Sequence, residues 1–369
     1  MLKSVVGYGM RSYEKAVLKA TWNDDSTSSE EHVEALIEYS NRPVKHDIAL
    51  SIQSRINLKS PWKVVLKSIT LIHRLLRDAD ESFTKDVLHA NMILAVEDYL
   101  DQSTPVAAGE SEFIVHYAYY VSHKLHTYNE LGYWIERKFR DCSSPIEWVS
   151  SLPMQELERV FPLVMSSFDR LTSCHPSDQF DGVHPIEQKS HLLLFKDALR
   201  FYSFLTISIF QMIDQVNSFD TTTCEWMITQ IAHFTKLNAK YKSWASKLCK
   251  LEIVDQSFLP NFETIPSGTI ANLQTLLVGR SRNASKNKAR SRSRTPKGNK
   301  PKSPSKASHT STVEENGISE GKAGSDLDLC FPVPTSNSTD IDFLGISNLS
   351  IGAKRGKSED FDFNGTNYE

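Results

Sequence analysis

Residues 61–78 read PWKVVLKSITLIHRLLRD, and the spacing of the apolar side chains in this stretch decides the fold. Apolar residues recur at steps of three and four, which places them on one face of a helix, and a second apolar row lies beside the first. The two rows are Trp62, Val65, Ile69, Ile72 and Leu76, and Val64, Leu71 and Leu75. The polar strip left for water is Lys63, Lys67, Thr70, Arg74 and Arg77. A helix with apolar residues on most sides needs neighbours on at least two sides, so this stretch predicts a multi-layer stack of helices with Trp62, Ile69 and Ile72 buried.

The sequence also marks where this central helix begins. Pro61 suits the first helical turn because its missing N–H would have no partner there, and Ser60 can cap the start. Similar apolar periodicity predicts further helices on both sides, joined by short polar loops. The predicted helices span residues 9–21, 44–57, 81–89, 93–100, 113–139, 186–219, 221–251 and 264–278, with further helical stripes near residues 30–40 and 157–168. The sequence therefore predicts one all-α domain over residues 1–278.

The composition changes sharply beyond this domain, where Ser, Lys, Arg, Pro and Asn replace the apolar pattern. Residues 280–306 hold eleven Lys or Arg and no acidic residue, whereas residues 314–369 hold eleven acidic residues and four basic ones. Such segments cannot bury enough apolar surface to offset their conformational entropy. We therefore predict a basic disordered linker over residues 279–313 and an acidic disordered tail over residues 314–369.

The sequence argues against several classes of protein. The five cysteines are scattered without close pairs, which indicates reduced thiols rather than a disulfide framework or a zinc knuckle. The N-terminus lacks the apolar run of a signal peptide, and the apolar stretch at residues 201–213 is too short to cross a bilayer, so we expect neither secretion nor a membrane span. Since no nucleophile, metalloprotease or phosphate-loop motif is present, we expect neither an enzyme nor a cofactor.

Three histidines in one predicted helix, His116, His123 and His126, raise the alternative of a metal site. His116 and His123 are seven residues apart and can share a helical face, but no third ligand with useful spacing accompanies them. We therefore expect ordinary helix-face histidines and no metal.

Longer motifs resemble a known family. SPWKVVLKSITLIHRLLRDADESF around the central helix, VLKATWND at residues 17–24 and EEHVEALIEYS at residues 30–40 are similar to the ANTH domain of clathrin assembly proteins. Three later phrases resemble the later helices of that domain in the same order: LERVFPLVMSSFDRLTSC, HLLLFKDALRFYSFLTISIFQMIDQ and LPNFETIPSGTIANLQTLL. The resemblance covers residues 1–277. It implies a right-handed α-solenoid, an ENTH/ANTH-like superhelix, followed by a disordered C-terminal tail.

The resemblance also implies a lipid site. ANTH domains hold a phosphoinositide headgroup with a lysine in a KAT motif and with a Lys-rich cluster that ends in His, and Lys19 and His32 match those two positions. Arg11 and Lys15 precede Lys19 at steps of four, so one helix carries all three as a basic stripe. We expect a weak phosphoinositide site formed by Arg11, Lys15, Lys19 and His32. The alternative from charge patterning alone is a solvated basic face.

The family's lysine cluster is missing from this chain. Ser28, Ser29, Glu30 and Glu31 stand in its place and predict an N-cap followed by acids in the first helical turn. We expect the two glutamates to repel phosphates and to weaken the site. Trp22 has two interpretations, insertion at a membrane surface or, more typical of a tryptophan at a helix end, packing on a neighbour.

Short apolar and acidic clusters in the tail are of the kind that docks into clathrin or coat adaptors as extended peptides. The candidate docking residues are Asp326, Leu327, Leu329 and Phe331, then Asp342, Phe343 and Leu344, and then Phe361 and Phe363. Thr295 and Ser303 precede prolines in the basic linker and are candidate phosphorylation sites.

The leading hypothesis is an endocytic adaptor, cytoplasmic and peripheral to the membrane in clathrin-coated pits and vesicles. Its helical head would bind phosphoinositide membranes, vesicle cargo protein or both, and its tail would recruit clathrin or a coat adaptor, with no nucleic-acid partner. The alternative is a nuclear or cytosolic helical scaffold whose Arg/Ser-rich segment serves in nuclear import or RNA contact.

Overall fold

The computed structural model describes residues 11–292, apart from residues 43–46, 91, 93, 178–181 and 263–264. Within these ranges the chain forms twelve α-helices and two short 3₁₀ helices, Val216–Ser218 and Gln256–Phe258, and no β-strand. The α-helices are α1 (Ser12–Ala20), α2 (Glu30–Ser40), α3 (Ile48–Gln53), α4 (Trp62–Asp78), α5 (Glu81–His89), α6 (Pro105–Leu131), α7 (Ile135–Asp141), α8 (Pro145–Ser150), α9 (Met154–Thr172), α10 (Pro185–Asp214), α11 (Thr221–Lys250) and α12 (Ser267–Arg292). The predicted all-α class is confirmed.

The helices pack in successive layers, and α4 lies inside the stack. It contacts α1, α2, α3 and α5, and also α6 and α10 from later in the chain. Farther along, α9 packs against α6, α10 and α11, and α11 packs against α12. Thirteen of the 17 residues of α4 are buried, including Trp62, Ile69 and Ile72, so the prediction of a central helix surrounded by neighbours is confirmed.

The structure corrects three helix spans. Residues 94–100 form a loop with a turn at Glu97 and Asp98 rather than a helix, and Val96 and Tyr99 reach the core from it. The helix predicted at residues 113–139 is two helices, because Gly132 adopts a φ of 79° and ends α6 in the left-handed conformation that glycine tolerates. The third helix, α3, ends at Gln53 and is shorter than predicted.

The start of α4 also differs from the prediction. Pro61 occupies the N-cap position, one residue before the first turn, and Ser60 does not cap the helix. Instead, the backbone N–H of Trp62 donates to Oδ2 of Asp101 at 3.0 Å. A carboxylate at a helix N-terminus satisfies a free donor and complements the helix dipole. The cap therefore comes from the loop before α6, which no local pattern in the sequence reveals.

A buried polar network joins α4, α6 and α10. Nε2 of His73 lies 2.7 Å from Oδ2 of Asp197, and its Nδ1 lies 2.7 Å from the hydroxyl oxygen of Tyr117. The Tyr120 hydroxyl donates to the same Asp197 oxygen at 2.7 Å. Burial lowers the pKa of His73, although the Asp197 carboxylate opposes that effect. We infer that His73 is a neutral imidazole near pH 7 and bridges α4 to both partners.

Lys124 supplies the positive charge of this network. Its Nζ donates to Oδ2 of Asp197 at 2.6 Å and also contacts the Glu136 carboxylate, which brings α7 into the network. Burial raises the pKa of Asp197, but the charge of Lys124 and the hydrogen bond with His73 outweigh it and hold that pKa well below its usual range. The carboxylate is therefore ionised and compensated inside the core.

The last helix runs past the domain boundary predicted at residue 278. Within α12, Arg280 donates from Nη1 to the Phe219 carbonyl at 2.8 Å and from Nη2 to the Val216 carbonyl at 3.1 Å. The first arginine assigned to the basic linker thus holds the connection between α10 and α11. The division into domain, linker and tail beyond this point stays a prediction.

We expect Asp197→Asn to lower the free energy of unfolding by about 3 kcal/mol or more, because Lys124 loses a carboxylate that compensates its buried charge. Urea denaturation followed by circular dichroism measures the change. The matched control is Asp169→Asn, whose carboxylate pairs with Lys240 at 2.6 Å but keeps 51% of its side chain exposed. It should cost about 1 kcal/mol or less. Equal losses in the two variants would contradict a central role for the network.

Candidate functional site

The predicted lipid residues Lys19 and His32 lie at the same end of the α1–α2 pair. Lys19 is next to the last residue of α1, and His32 is in the first turn of α2. The two helix ends are joined because the Ser28 hydroxyl donates to the carbonyl of Ala20 at 2.7 Å. We call this end of the domain, with the loop at residues 21–29, the α1–α2 edge.

The lysines of this edge are free to meet an anion. Lys15 and Lys19 are exposed and stand one helical turn apart, about 6 Å along the axis of α1. Within the described ranges, neither ammonium group has a hydrogen-bond or ion-pair partner. His32 is half-buried in the first turn of α2. The structure therefore leaves both lysines exposed on α1 and places His32 across the loop that joins α1 to α2.

Arg11, the fourth predicted residue, lies at the opposite end of α1 from Lys19. It precedes the first turn of α1, about 12 Å along the helix axis from Lys19. Its Nη1 lies 3.2 Å from Oδ2 of Asp47 and donates to the Tyr13 hydroxyl at 2.7 Å. The Arg11 side chain stays 63% exposed in this pairing, and its assignment to the lipid site remains a prediction.

A buried lysine of α4 fixes the conformation of the loop. Nζ of Lys67 donates to the carbonyls of Trp22 and Asp24 at 2.8 and 3.1 Å and to Oδ1 of Asp24 at 2.7 Å. Its hydrogen bond and charge, with help from Ser26, lower the pKa of Asp24. The Lys67 side chain is only 2% exposed, so its assignment to a strip left for water is wrong. Helical periodicity could not reveal this, because the loop that covers Lys67 arrives from 43 residues earlier in the chain.

Two further bases of the domain support the same loop. Arg55 donates from Nε to the Thr21 hydroxyl at 3.0 Å and from Nη2 to the Thr21 carbonyl at 3.1 Å, at the end of α1. Lys63 contacts the Asp25 carboxylate, which also lies 3.4 Å from Nε2 of His184. Each aspartate of the loop thus pairs with a lysine of α4, while the Asp24 and Asp25 side chains stay 47% and 78% exposed.

The backbone carbonyl of Trp22 accepts a hydrogen bond from Lys67, and the Trp22 side chain is partly exposed. The side chain keeps 38% of its surface exposed and is among the large apolar side chains that the solvent reaches. The rest of its surface is covered by the protein, so both interpretations of Trp22 remain open. A fixed, exposed tryptophan next to an unpaired lysine is suited to the interface between water and lipid.

The two glutamates that replace the family's lysines play different parts. Glu30 contacts the Lys189 ammonium and lies 3.7 Å from Nη2 of Arg74, so it links α2 to α10 and α4. Burial raises its pKa, but Lys189 and Arg74 outweigh that effect and lower it. Glu31 is exposed and has no partner in the described part of the chain. The expected repulsion of phosphates therefore comes mainly from Glu31.

The predicted N-cap of α2 is confirmed in position. Ser29 occupies the N-cap, and Glu30 and Glu31 lie in the first turn, although the Ser29 side chain makes no capping hydrogen bond.

Among the helix-face histidines, His123 forms hydrogen-bond contacts with two hydroxyl groups of α9. Nδ1 of His123 lies 3.1 Å from the Ser167 hydroxyl and Nε2 lies 2.9 Å from that of Ser166, so both ring nitrogens are engaged. Burial, followed by the charge of Arg170, lowers the pKa of His123 to about 4. No group of three metal-ligating side chains occurs among the residues that the structure describes.

The remaining predicted sites lie outside the described residues. They are the phosphorylation candidates Thr295 and Ser303 and the tail residues Asp326, Leu327, Leu329, Phe331, Asp342, Phe343, Leu344, Phe361 and Phe363. In the part of the chain that the structure covers, no helix combines the length and the apolarity that a bilayer-spanning segment needs.

Curated relatives with similar sequences carry clathrin assembly names. A relative from Arabidopsis thaliana that carries the name clathrin assembly protein is 26% identical to this chain. The match covers 54% of this chain and 37% of the relative. The human phosphatidylinositol-binding clathrin assembly protein is 21% identical over 72% of this chain and 40% of its own length. The chain thus spans about two fifths of the length of these relatives.

Two solved structures are similar at lower identity. The endocytic adaptor complex AENTH matches with 15% identity and a TM-score of 0.44, over 65% of this chain and 95% of that chain. The ENTH domain from epsin-2, in complex with phosphatidylinositol 4,5-bisphosphate, matches with 13% identity and a TM-score of 0.42, over 64% and 93%.

The family model of the ANTH domain matches residues 12–277, which is most of the helical part described above. Its bounds run from the first residue of α1 into α12. This chain therefore belongs to the ANTH domain family.

Proposed function

We propose that this chain is an endocytic clathrin adaptor whose head meets phosphoinositide-containing membrane through the α1–α2 edge. The observation that carries the proposal is the pairing of unpartnered Lys15 and Lys19 with the exposed ring of Trp22 on a loop held by buried Lys67. Family membership and the clathrin assembly names of the relatives support the same role.

The membrane contact is weak and depends on salt. A basic residue near an anionic leaflet contributes about 1 kcal/mol, and this attraction is screened within about 10 Å. The edge offers two lysines and a histidine, and Glu31 opposes them. Several such proteins on one membrane, or a second contact through the tail, would then provide stable attachment.

The tail completes the proposed role. We infer that its apolar and acidic peptides recruit clathrin or a coat adaptor and that the head also binds vesicle cargo protein, which places the chain at the cytoplasmic face of coated pits and vesicles. The protein acts by binding partners and catalyses no reaction. Recruitment through short peptides needs no folded tail, because extended segments dock into preformed pockets.

Lipid binding tests the edge directly. We expect Lys19→Ala to weaken binding to vesicles containing phosphatidylinositol 4,5-bisphosphate about fivefold, and Glu31→Lys to strengthen it by at least as much. Vesicle sedimentation at low and physiological salt measures both changes. The control is Lys236→Ala, which removes an exposed lysine from α11. The proposal fails if native protein does not sediment with these vesicles at low salt, or if the Lys19 and Lys236 variants behave alike.

A second prediction concerns how the loop is held. We expect Lys67→Met to increase amide hydrogen exchange at residues 21–29 and to weaken vesicle binding, although no exposed charge is lost. Lys63→Met is the matched control, because Lys63 bonds the same loop from a position that is 24% exposed. If exchange at residues 21–29 rises equally in both variants, Lys67 does not determine the loop conformation.

Recruitment by the tail is tested with peptides. We expect a peptide of residues 314–369 to retain clathrin or a coat adaptor from cytosol, and alanine at Leu327, Leu329, Phe343 and Leu344 together to remove that binding, because these side chains fill the partner's pockets. Alanine at Ile318, Val333 and Ile351 serves as a control for general loss of apolar surface. Retention that is unaffected by the first set would exclude these two clusters as the docking peptides.

A further inference from the structure

A groove with a polar lining lies between α6 and α9, and its volume is about 380 Å³. We call it the α6–α9 groove. The Tyr119 side chain keeps 41% of its surface exposed, so the groove offers one large ring to an apolar side chain. The lining residues are His116, Tyr119, Ser166, Asp169, Arg170 and Ser173.

The second half of α11 supplies positive charge beside this groove. It carries five lysines and no acidic residue. Nζ of Lys240 donates to Oδ1 of Asp169 at 2.6 Å and to the Ser173 hydroxyl at 2.7 Å, and both partners line the groove. Nζ of Lys247 donates to the Pro176 carbonyl at 3.1 Å. The lysine-bearing half of α11 therefore runs along the end of α9 and the start of the loop that follows it.

Four of these lysines share one face of α11, because they are separated by four, seven and three residues, which are helical repeats. Lys236 and Lys250 are exposed, and neither has a hydrogen-bond or ion-pair partner among the residues that the structure describes. This face therefore carries uncompensated positive charge. We call it the basic face of α11, and it consists of Lys236, Lys240, Lys247 and Lys250.

Arg170 adds an uncompensated charge within the groove itself. Its side chain is exposed, and within the described ranges its guanidinium has no hydrogen-bond or ion-pair partner. Of the neighbouring acids, Asp169 is paired with Lys240, and Glu112 lies 3.8 Å from Nε2 of His116. The groove and the basic face thus concentrate positive charge in a domain that holds more acidic than basic residues.

The acidic tail of the same chain has the complementary pattern. Residues 326–344 hold four aspartates and no basic residue, and acidic and apolar residues alternate in DLDL and in DIDF. Successive side chains of an extended segment point to opposite sides. In an extended conformation, one side of this segment offers carboxylates to lysines, and the other offers Leu, Ile or Phe to the Tyr119 ring.

The length of chain beyond α12 allows this contact. The α12 helix packs on α11 and ends at Arg292. Residues 293–325 separate it from the acidic segment and reach up to about 110 Å when extended. Since α11 is about 45 Å long, every part of its basic face is within reach.

We propose that residues 326–344 dock in an extended conformation into the α6–α9 groove, with their carboxylates on Arg170 and the basic face of α11 and their apolar side chains on Tyr119. The proposal stands independently of lipid binding at the α1–α2 edge. One consequence rests on the function proposed above: the docked tail withholds its peptides from clathrin or a coat adaptor.

A fluorescein-labelled peptide of residues 324–346 tests the proposal, with fluorescence anisotropy at low salt as the readout and full-length chains as the binding partners. In one chain, the released-tail variant, four aspartates become asparagine. We expect this variant to bind the peptide at least about fivefold more tightly than native protein, because its own tail no longer competes at a local concentration on the order of millimolar. The substitutions are Asp326→Asn, Asp328→Asn, Asp340→Asn and Asp342→Asn.

The charge-matched control neutralises four acids of the tail outside the docking segment and should bind the peptide like native protein. Equal binding by the released-tail variant and this control, or no binding by either, would overturn the proposal. The control substitutions are Glu314→Gln, Glu315→Gln, Glu320→Gln and Glu369→Gln.

Substitutions in the groove, made in the released-tail variant, locate the site. We expect Arg170→Gln to weaken peptide binding about fivefold, whereas Lys59→Gln, which removes an exposed lysine before α4, should change it less than about twofold. Tyr119→Ala should weaken binding about threefold, and Ile146→Ala, which removes a side chain that is 47% exposed on α8, should not. If each groove variant behaves like its control, the peptide does not bind in the groove.

Two further measurements identify what the groove recognises. A peptide of the same composition in which Asp and apolar residues no longer alternate should bind at least about threefold more weakly, because its apolar side chains no longer share one side. Deletion of residues 293–306, which removes five basic residues, should change binding less than about twofold, a range typical of distant screened charge. Equal binding of the rearranged peptide would show charge attraction alone, and loss of binding on the deletion would show that the tail pairs with the basic linker. Either result would overturn the proposal.

Discussion

The compensated carboxylate of Asp197 is the interaction on which the rest of the structure depends. It is fully buried on α10 and receives contacts from His73 on α4 and from Tyr120 and Lys124 on α6. Lys124 continues the network to Glu136 on α7. An ionised group in an apolar core is tolerated only where opposite charge and hydrogen bonds meet it. If any of these helices shifted by one turn along its axis, the paired charges would separate. The network therefore fixes the relative axial positions of these helices more tightly than apolar packing alone would.

Helix α4 makes further polar contacts on both sides of His73. From His73 toward the start of α4, Lys67 reaches the loop after α1 and holds the backbone of Trp22. Toward its end, the carbonyl oxygen of Arg77 lies 3.5 Å from Nη1 of Arg140 on α7. Polar residues along α4 thus contact, in turn, the α1–α2 loop, the buried network and α7. Lys67, His73 and Arg77 are all basic residues, and their roles differ because a different part of the protein packs against each turn of α4.

The replacement of the family's lysines by Glu30 and Glu31 changes more than the charge of the edge. Glu30 is taken up by Lys189 and Arg74 and ties α2 to two other helices. A lysine at this position would place a third cation beside two others and remove the link. The structural and the ligand-binding uses of this segment are therefore in competition, and in this chain the structural use prevails at Glu30. The proposed membrane contact would then depend on α1 and on Trp22 in the loop that follows it.

The sequence by itself determined the all-α class, the position of the central helix α4 and most of the helices around it, because a 3.6-residue apolar period is a local signal that survives any packing arrangement. The resemblance of Lys19 and His32 to a family motif is likewise a local signal, and their role in lipid binding remains a prediction. The sequence placed Lys67 and Thr70 in solvent and gave no sign of the Asp197 network. Each of these depends on contacts between residues far apart in the chain: 43 residues for Lys67 and Asp24, 120 for Thr70 and Ser190, and 124 for His73 and Asp197. Only the tertiary structure decided which polar residues face water, because burial of a side chain is a property of what packs against it and not of its own helix.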